Sequence, residues 1–494
     1  MHIRQVRKVK RNRLPIRVWQ EYQQPSSEAA LMQLLRPYNG SHIHGFYQLL
    51  WPKMRRRMRL LWTLALLSAF TVLIYISYLL GERYHLKQFH TLIADSHWPI
   101  QNIAFPVLIV CNKNRLNWSR LPEVSRRYNI SAAQQPLFER VLTAYDALTT
   151  TRFDVFETLH DQPLETINHL NFTQIVSELS WRCDEMLRDC SWHTQYRNCC
   201  ELFRPRRLPQ GPCLAFNEEE QRASAETGRS TGLIVRLLLN EERHAPGNRE
   251  TKGFVVDIVE PGNWYSFPIS LMPYTDTDIG LSAVYHFYDE DTFSMSSQQR
   301  QCLLDYEHEG HHFQTLKGYK YRMENCLAEC QQRHMLRYCN CTLDLFYPPS
   351  DHVACQLKDV LCLAAHNHLF QNVGQTGEES YVIQNGTGII CDCVYNCKSL
   401  TLITDERQVL SGLWQVDNGS LRITNRSMLL NFYYNQNIIL VYRTSLIYSW
   451  MDLIVSFGAI CQLCLGCSII SILELCYFVL VDVPRFCCSH YVSN

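Results

Sequence analysis

The last apolar run of this chain, Leu453–Leu473, contains small and polar residues that a plain lipid anchor does not need. Small residues let helices pack closely in lipid, and hydroxyl groups can line water. Gly466 favours a local break in a helix, and the carbonyl groups freed there, with the Ser468 hydroxyl, could replace part of a cation's hydration shell. Simple helix packing is the alternative interpretation. The residues concerned are Ser456, Gly458, Ala459, Cys461, Gln462, Cys464, Gly466, Cys467, Ser468 and Ser471.

Two acidic residues flank this polar stretch. Glu474 follows Ser468 by six residues, about 9 Å along a helix, and Asp452 precedes Gly466 by fourteen, about 21 Å. Repeated around a symmetry axis, either carboxylate would form a ring that concentrates cations. Alternatively, both mark the points where the segment meets water. The ring is the favoured interpretation for Glu474, and neither is favoured for Asp452.

A second group of residues fits the His-Glu-x-x-His pattern of zinc metalloproteases, at His308, Glu309 and His312. That chemistry needs both histidines on one helix face, a third ligand and an open metal position. Gly310 weakens a helix here, and Glu324 is the only candidate for the third ligand, so a protease is disfavoured. Modulation by zinc or protons is the better alternative, through His308, His311 and His312.

Two other cysteine patterns resemble metal sites. Cys461-x2-Cys464-x2-Cys467 has the spacing of an iron–sulfur run, but within an apolar helix these residues are better explained by packing. Cys339-Asn-Cys341 is too tight for a zinc knuckle. We therefore expect no metal site and no cofactor.

The chain contains two charge-free apolar runs, Leu60–Leu80 and Leu453–Leu473, and the second holds the candidate pore residues. Each run has 21 residues. That length crosses a bilayer as a helix. Residues 1–59 contain thirteen Lys and Arg against two acids, and arginines adjoin the first run directly. Such residues stay in the cytoplasm, which predicts that both termini are cytoplasmic. A nucleic-acid patch is disfavoured because a membrane span follows at once, and a cleaved signal peptide because the run begins too late.

The region between the runs contains sixteen of the 22 cysteines, an even number that suits a paired framework outside the cell. Cys326 and Cys330 are one helical turn apart, and Cys391, Cys393 and Cys397 offer partners on an extended stretch. Candidate glycosylation sites are Asn117, Asn129, Asn171, Asn340, Asn385, Asn418 and Asn425. The patterns predict a helix at Gln134–Leu148, strands at Leu233–Leu239 and Phe254–Val259, helical structure over Ser296–Tyr347, and one strand at Ile423–Val441.

Five motifs in order carry a family resemblance. They are His44-Gly45, Phe105-Pro106 to Cys111-Asn112, the Cys183 to Asn217 run, the spacing of Cys326-x3-Cys330-x8-Cys339-Asn-Cys341 with Cys391-x-Cys393-x3-Cys397, and Gly466-Cys467-Ser468 followed by Glu474. Over residues 41–480 the chain resembles the degenerin/epithelial sodium channel family, and within it the insect pickpocket branch.

The resemblance implies an α+β membrane protein, with two transmembrane helices flanking one large disulfide-rich extracellular domain of mixed β core and peripheral helices. The expected segments are a cytoplasmic arm at 1–59, spans at 60–80 and 445–481, the extracellular domain at 81–444 and a cytoplasmic tail at 482–494. Two helices are too few to enclose a pore, so assembly is required, and the family implies a homo- or heterotrimer with related subunits in the plasma membrane.

The implied function is a sodium-selective, amiloride-sensitive cation channel, not an enzyme, gated through its extracellular domain by a ligand, force or another stimulus. Sodium is the permeant ion, the extracellular ligand is unknown, and no nucleic acid is expected. The implied roles are gating for His44 and Gly45, a selectivity filter for Gly466, Cys467 and Ser468, and a pore lining of Asp452, Ser456, Ala459, Ser471 and Glu474. An ATP-gated two-span channel is the alternative, but its Lys-rich nucleotide site is not found.

The resemblance also implies disulfide pairs. They are Cys111–Cys213, Cys302–Cys397, Cys326–Cys393, Cys330–Cys391, Cys339–Cys362 and Cys341–Cys355, which leaves Cys183, Cys190, Cys199 and Cys200 to pair among themselves in an order that stays open. Two positions depart from the family pattern. Cys467 stands where many members have Ala or Ser, so thiol reagents could reach the pore, and Ser456 replaces an acidic residue of proton-gated members.

Overall fold

A computed structural model describes residues 49, 54–219, 221–246, 252–307, 314–375, 388–410, 414–417, 420–423, 427–482 and 484–485. The chain divides into two compact units. One comprises residues up to Gln88 together with Leu446 onward, and the other is Phe89–Ser445. The motifs identified from the sequence are therefore divided between a mainly helical unit and a mixed unit of strands and helices.

The helices in the described residues differ greatly in length. They are α1 Arg56–Leu86, α2 Leu121–Arg127, α3 Gln135–Ala147, α4 Phe172–Leu179, α5 Cys183–Met186, α6 Cys199–Leu202, α7 Ser297–Arg300, α8 Met323–Cys339, α9 Val360–Ala365, α10 Asn367–Phe370, α11 Trp450–Leu465 and α12 Ile469–Tyr477. A π-helical turn, Phe478–Asp482, follows α12. Of these twelve helices, α1, α11 and α12 belong to the first unit.

The strands all lie between α1 and α11. They are β1 Phe89–Pro99, β2 Val107–Asn112, β3 Leu187–Trp192, β4 Gln195–Arg197, β5 Phe203–Leu208, β6 Gly211–Phe216, β7 Leu233–Leu238, β8 Phe254–Val259, β9 Ile269–Leu271, β10 Thr275–Tyr288, β11 Cys302–Leu303, β12 Val373–Gln375, β13 Ile389–Cys391, β14 Tyr395–Asn396, β15 Lys398–Leu410, β16 Trp414–Asp417, β17 Ser420–Ile423, β18 Ser427–Tyr434 and β19 Ile438–Leu446.

The larger sheet is organised around β10. Its order is β1-β19-β10-β18-β7-β3-β4, and β15 pairs antiparallel with β10 along thirteen residues. β18 and β19 both run parallel to β10, β18 beside its first half and β19 beside its second. The backbone of β18 approaches Gly232 closely, so that a Cβ added at this glycine would lie 2.0 Å from the carbonyl oxygen of Phe432. Only glycine fits that approach.

The smaller sheet has the order β5-β6-β2-β8-β9, and its pairings are all antiparallel. β2 reads Val-Leu-Ile-Val-Cys-Asn, and all six residues are buried. A strand buried on both faces needs such a continuous apolar run. One face packs into a cluster with the helices α2, α3 and α4, and the other into a cluster with the larger sheet.

Eight disulfides join the described cysteines of the second unit. They are Cys111–Cys213, Cys183–Cys200, Cys190–Cys199, Cys302–Cys397, Cys326–Cys393, Cys330–Cys391, Cys339–Cys362 and Cys341–Cys355. Six of these pairs are those that the family resemblance implies. The structure pairs the remaining four cysteines as Cys183–Cys200 and Cys190–Cys199.

The local predictions had mixed outcomes. The helix at Gln134–Leu148 and the strands at Leu233–Leu239 and Phe254–Val259 are confirmed within one residue. The single strand expected over Ile423–Val441 is wrong, because the segment contains β18 and the start of β19. The Ser296–Tyr347 region is helical only in part, since it also contains β11.

The carboxyl group of Asp257 is fully buried on β8, and its Oδ1 has no partner among the described residues. Burial raises its pKa to about 6, although the Ser266 N–H and the nearby Arg206 favour the charged form. An unfolded aspartate titrates near pH ~3.9. The stabilisation from binding this proton is therefore complete below about pH 4 and is lost as the pH rises through about 6.

We therefore expect Asp257→Asn to stabilise the folded protein at pH 8, by up to about 3 kcal/mol, and to have little effect near pH 4. The asparagine keeps an oxygen for the Ser266 N–H. Unfolding of the purified chain, followed at both pH values, measures this. Asp351→Asn is the control, because that carboxylate is exposed and pairs with Lys317. A variant no more stable than the wild type at pH 8 would contradict the prediction.

Candidate pore segment

The helix α1 is apolar and almost wholly exposed. It has 31 residues, its most apolar 18-residue window has a mean hydropathy of 2.1, and only 6% of that window is buried. Among the described residues it is the one helix long and apolar enough to cross a membrane. Leu60, Leu64 and Phe70 are more than half exposed, and exposure of so large an apolar surface to water is unfavourable. The expected span at 60–80 lies inside this helix.

The helix α11 begins with a reciprocal cap. Ser449 Oγ accepts a hydrogen bond from the Asp452 N–H at 3.3 Å, and Asp452 Oδ2 accepts from the Ser449 N–H at 3.0 Å. This arrangement satisfies two backbone donors at the helix end. The carboxylate of Asp452, proposed from sequence as an ion-attracting group, therefore has a structural role within its own chain. Ser449 was not recognised from the sequence, although the Ser-x-x-Asp spacing was the available signal.

The second apolar run does not form one continuous helix. α11 ends at Leu465, Gly466 has a φ of 66°, and α12 starts at Ile469. The Gly466 N–H donates to the Gln462 carbonyl oxygen at 2.8 Å, which closes α11 with a left-handed cap. The helix break predicted at Gly466 is confirmed. It covers the three residues proposed as the filter, Gly466, Cys467 and Ser468.

The serines after the break begin the next helix. Ser468 Oγ accepts from the Ser471 N–H at 3.3 Å, and the two hydroxyl oxygens also lie 3.3 Å apart. Ser471 is 5% exposed and Ser468 is exposed. Ser468 is thus the exposed member of this pair, whereas Ser471, expected to line the pore, is buried and supports the position of Ser468. Glu474 is exposed one turn further along α12.

The cysteines of α11 occupy its packing face. Cys461 and Leu465 form a buried cluster with Leu73 of α1, against which Cys464 and Cys467 also pack. The Cys467 thiol lies 3.5 Å from the carbonyl oxygen of Cys461. These contacts favour the packing interpretation of the Cys-x2-Cys-x2-Cys pattern. Ser456 is half-buried, and Ala459 is exposed on another part of the helix surface.

Several residues named from the sequence lie outside the described part of the chain. They are His44, Gly45, His308, Glu309, His311, His312, Asn385, Asn418 and Asn425. Among the other candidate glycosylation sites, Asn129, Asn171 and Asn340 are exposed. Asn117 is 1% exposed, and its side-chain amide donates to Glu185 at 3.0 Å, so its burial disfavours a glycan at this candidate site.

One contact in the helical unit was missed by sequence reasoning. The guanidinium carbon of Arg83, in the last turn of α1, lies 5.5 Å from the ring centre of Tyr448, which precedes α11. The Ile447 N–H donates to the Gln88 carbonyl oxygen at 2.9 Å beside it. The two segments are so far apart in sequence that no local pattern predicts this cation–π contact. It ties the end of α1 to the start of α11.

Because the family resemblance implies a gated channel, we expect Arg83→Gln and Tyr448→Leu each to change the ratio of open to closed time in single-channel records. The expected change is about two- to fivefold, which corresponds to the free energy of an exposed cation–π contact. The double variant should change it no further than either single variant. Glu82→Gln is the control, because no contact of its exposed side chain is recorded in the described region. Independent, additive effects of the two substitutions would show that the contact is not used.

Comparison with known proteins identifies a family to which this chain is similar. The profile described as "Amiloride-sensitive sodium channel" matches residues 38–478, which include both α1 and the break after α11. Pickpocket protein 19 of Drosophila melanogaster is 26% identical over 469 residues, which cover 90% of each chain. Sodium channel protein Nach of Drosophila ananassae is 22% identical, covering 80% of this chain and 76% of that protein.

A nematode relative extends the comparison. Degenerin del-1 of Caenorhabditis elegans is 25% identical over 326 residues, which cover 63% of this chain and 46% of that protein. The disulfide-rich mixed unit, the exposed apolar helix and the broken second apolar segment agree with the family match over most of the chain. This protein belongs to the amiloride-sensitive sodium channel family, the degenerin/epithelial sodium channels, and is similar to its pickpocket members.

Proposed function

We propose that this chain is a pore-forming subunit of a trimeric, sodium-selective cation channel in the plasma membrane, blocked by amiloride and gated through its disulfide-rich domain. The observation that carries the proposal is the non-helical stretch Gly466–Ser468 between two apolar helices. Unpaired backbone at membrane depth is tolerated only where it is buried or faces a water-filled path.

The break also has the chemistry that a dehydrated sodium ion needs. Backbone carbonyls lose their helical partners there, and the Ser468 hydroxyl is exposed. In a symmetric ring of subunits these oxygens would replace part of the hydration shell, while Glu474 on α12 would add a ring of negative charge. One copy offers too few helices to surround an ion, which supports assembly of several copies, and the family implies that their number is three.

The proposed topology has two crossings. α1 supplies the first, and α11 with α12 supplies the second, continuing through the break. Arg55, Arg56, Arg57 and Arg59 at the start of α1 are exposed and favour the cytoplasmic side. In this proposed topology the eight disulfides lie in the oxidising extracellular space, where such bonds persist. Both termini are then cytoplasmic.

Expression in oocytes, alone and with a related pickpocket subunit, tests the function. We expect an inward current in sodium that falls when sodium is replaced by a large organic cation and that amiloride blocks. Surface biotinylation separates failed delivery from failed conduction. A chain that reaches the surface in both settings yet carries no sodium current under force, pH change or ligand screening would contradict the proposal.

A further inference from the structure

A cavity of about 500 Å³ lies in the mixed unit, and none of its lining residues is assigned to the ion pathway. Its walls are formed by α2, α4 and α5 on one side and by the hairpin β5–β6 on the other. Val124 on its wall belongs to the core cluster of the helices, whereas Met186 and Leu214 belong to the cluster of the sheets. The cavity therefore lies where the two cores of this unit meet. Its volume is that of a typical small-molecule site.

The walls of this cavity are covalently fixed. The disulfide Cys183–Cys200 joins the start of α5 to α6, and Cys111–Cys213 joins β2 to β6. Three of these four cysteines, all except Cys111, line the cavity. A preformed cavity loses little entropy when a ligand enters, which favours binding.

Two of the four arginines that line the cavity are already neutralised. Arg127 pairs with Glu123 at 3.0 Å and with Glu178 at 2.9 Å. Arg120 pairs with Glu185 and also donates to the carbonyl oxygens of Glu178 and Ser180. These contacts hold α2 against α4 and α5, and the two arginines are not available to a ligand.

The other two arginines are unused. Arg182 and Arg204 both line the cavity and are exposed, and neither guanidinium makes a hydrogen bond or ion pair within the described ranges of the chain. The carboxylate of Glu185 accepts hydrogen bonds from the backbone N–H of Arg182, from Arg120 and from Asn117. Two free positive charges therefore remain at the cavity.

Part of the cavity lining is apolar. Trp181 is 8% exposed, and its indole N–H is occupied by the carbonyl oxygen of Asn114 at 2.6 Å, so its ring offers the cavity only an apolar surface. Phe203, Met186 and Leu214 also line the cavity, each at most 5% exposed. Flat aromatic and aliphatic groups would be buried there, while an anionic group would reach the guanidinium groups.

We infer that this cavity is a binding site for a small organic anion with a flat apolar body, an aromatic carboxylate being the simplest case. The body lies on Trp181 and Phe203, and the carboxylate accepts hydrogen bonds from Arg182 and Arg204. As a site, it stands independently of the ion pathway. The inference depends on the proposed function in one respect: if the channel is gated by an extracellular ligand, this site indicates the chemical class of that ligand.

The test uses the full chain reconstituted in lipid nanodiscs and two probes of equal shape, naphthalene-2-carboxylate and naphthalene-2-carboxamide. Binding is measured by ligand-observed NMR, so the result does not depend on whether the chain conducts. We expect the wild type to bind the carboxylate about tenfold more tightly than the amide, as charge-assisted hydrogen bonds imply. The double variant Arg182→Gln, Arg204→Gln should lose this preference.

Arg126→Gln is the matched control, because Arg126 is an exposed arginine of α2 that does not line the cavity. It should keep both the preference for the carboxylate and the basal current. Thermal unfolding of the double variant checks that it is folded. The inference is overturned if the wild type does not distinguish the two probes, if the double variant still does, or if Arg126→Gln loses the preference equally.

Discussion

Replacement of Gly466 by valine is expected to abolish sodium current while leaving delivery of the chain to the cell surface intact. Gly466 has a φ of 66°, a left-handed conformation that costs an ordinary residue about 1–2 kcal/mol and a β-branched residue more. Valine would draw the backbone back towards a helix across residues 466–468. The carbonyl groups at the break would then be tied up in helical hydrogen bonds, and no oxygen ring could form.

The chain contains a matched control for this substitution. Gly458 lies within α11, and an added Cβ there would meet nothing within 4 Å. Gly458→Ala should therefore keep the current, since alanine favours a helix more than glycine does. Currents are compared after surface biotinylation, with sodium and potassium as alternative permeant ions. Equal permeation and selectivity in Gly466→Val and the wild type would contradict the assignment of the filter.

The elements that sequence reasoning predicted well have local causes. The break at Gly466 follows from the conformational freedom of glycine, and α3 follows from apolar residues at helical spacing, with Leu137, Val141 and Tyr145 buried. β8 follows from a run of β-branched residues. In each case the residues that decide the structure lie within one or two turns of each other along the chain.

The elements that were missed have distant causes. The partners of β10 come from β15, β18 and β19, more than a hundred residues later, and no local period specifies which strand pairs with which. The division of Ile423–Val441 into two strands follows from the same arrangement, because β18 and β19 lie along successive halves of β10. The contact of Arg83 with Tyr448 is likewise a product of folding.

The small residues of the second apolar run illustrate both situations. From sequence, cysteines, glycines and serines there could all line water or all serve packing. The structure divides them, since Cys461 and Cys464 pack against α1 whereas Ser468 is exposed at the break. The deciding factor is which face of α11 meets Leu73, and that residue is almost four hundred positions away.

The second large effect concerns the disulfides that join α8 to the segment around β13. Cys326–Cys393 and Cys330–Cys391 are successive bridges, with sequence separations of 67 and 61 residues. The cysteines on α8 are one turn apart, and those on the other segment are two residues apart, so each bridge holds the same two elements together. Removing one bridge opens only the small ring between the two, because the other still closes the long loop.

We therefore expect the two pairwise variants, Cys326→Ser with Cys393→Ser and Cys330→Ser with Cys391→Ser, to lose about 2–3 kcal/mol each in the free energy of unfolding. Both should still reach the cell surface. Removing all four cysteines frees a loop of more than 60 residues and should cost about 6–7 kcal/mol, more than the two pairs together. That loss is comparable to the whole stability of an ordinary domain, so the quadruple variant should not fold.

Unfolding of the purified chain by denaturant and surface biotinylation in cells measure the two parts of this prediction. Cys476→Ser is the control for loss of a thiol, because Cys476 is an exposed free cysteine outside the disulfide framework. A quadruple variant that is no less stable than either pairwise variant would mean that apolar contacts, such as those of Tyr321 and Ile389 in the same cluster, hold α8 in place without the bridges. A loss of unfolding free energy larger than the sum of the two pairwise losses would instead show that the two bridges act together. Either bridge alone then keeps α8 joined to the segment around β13 when the other is removed.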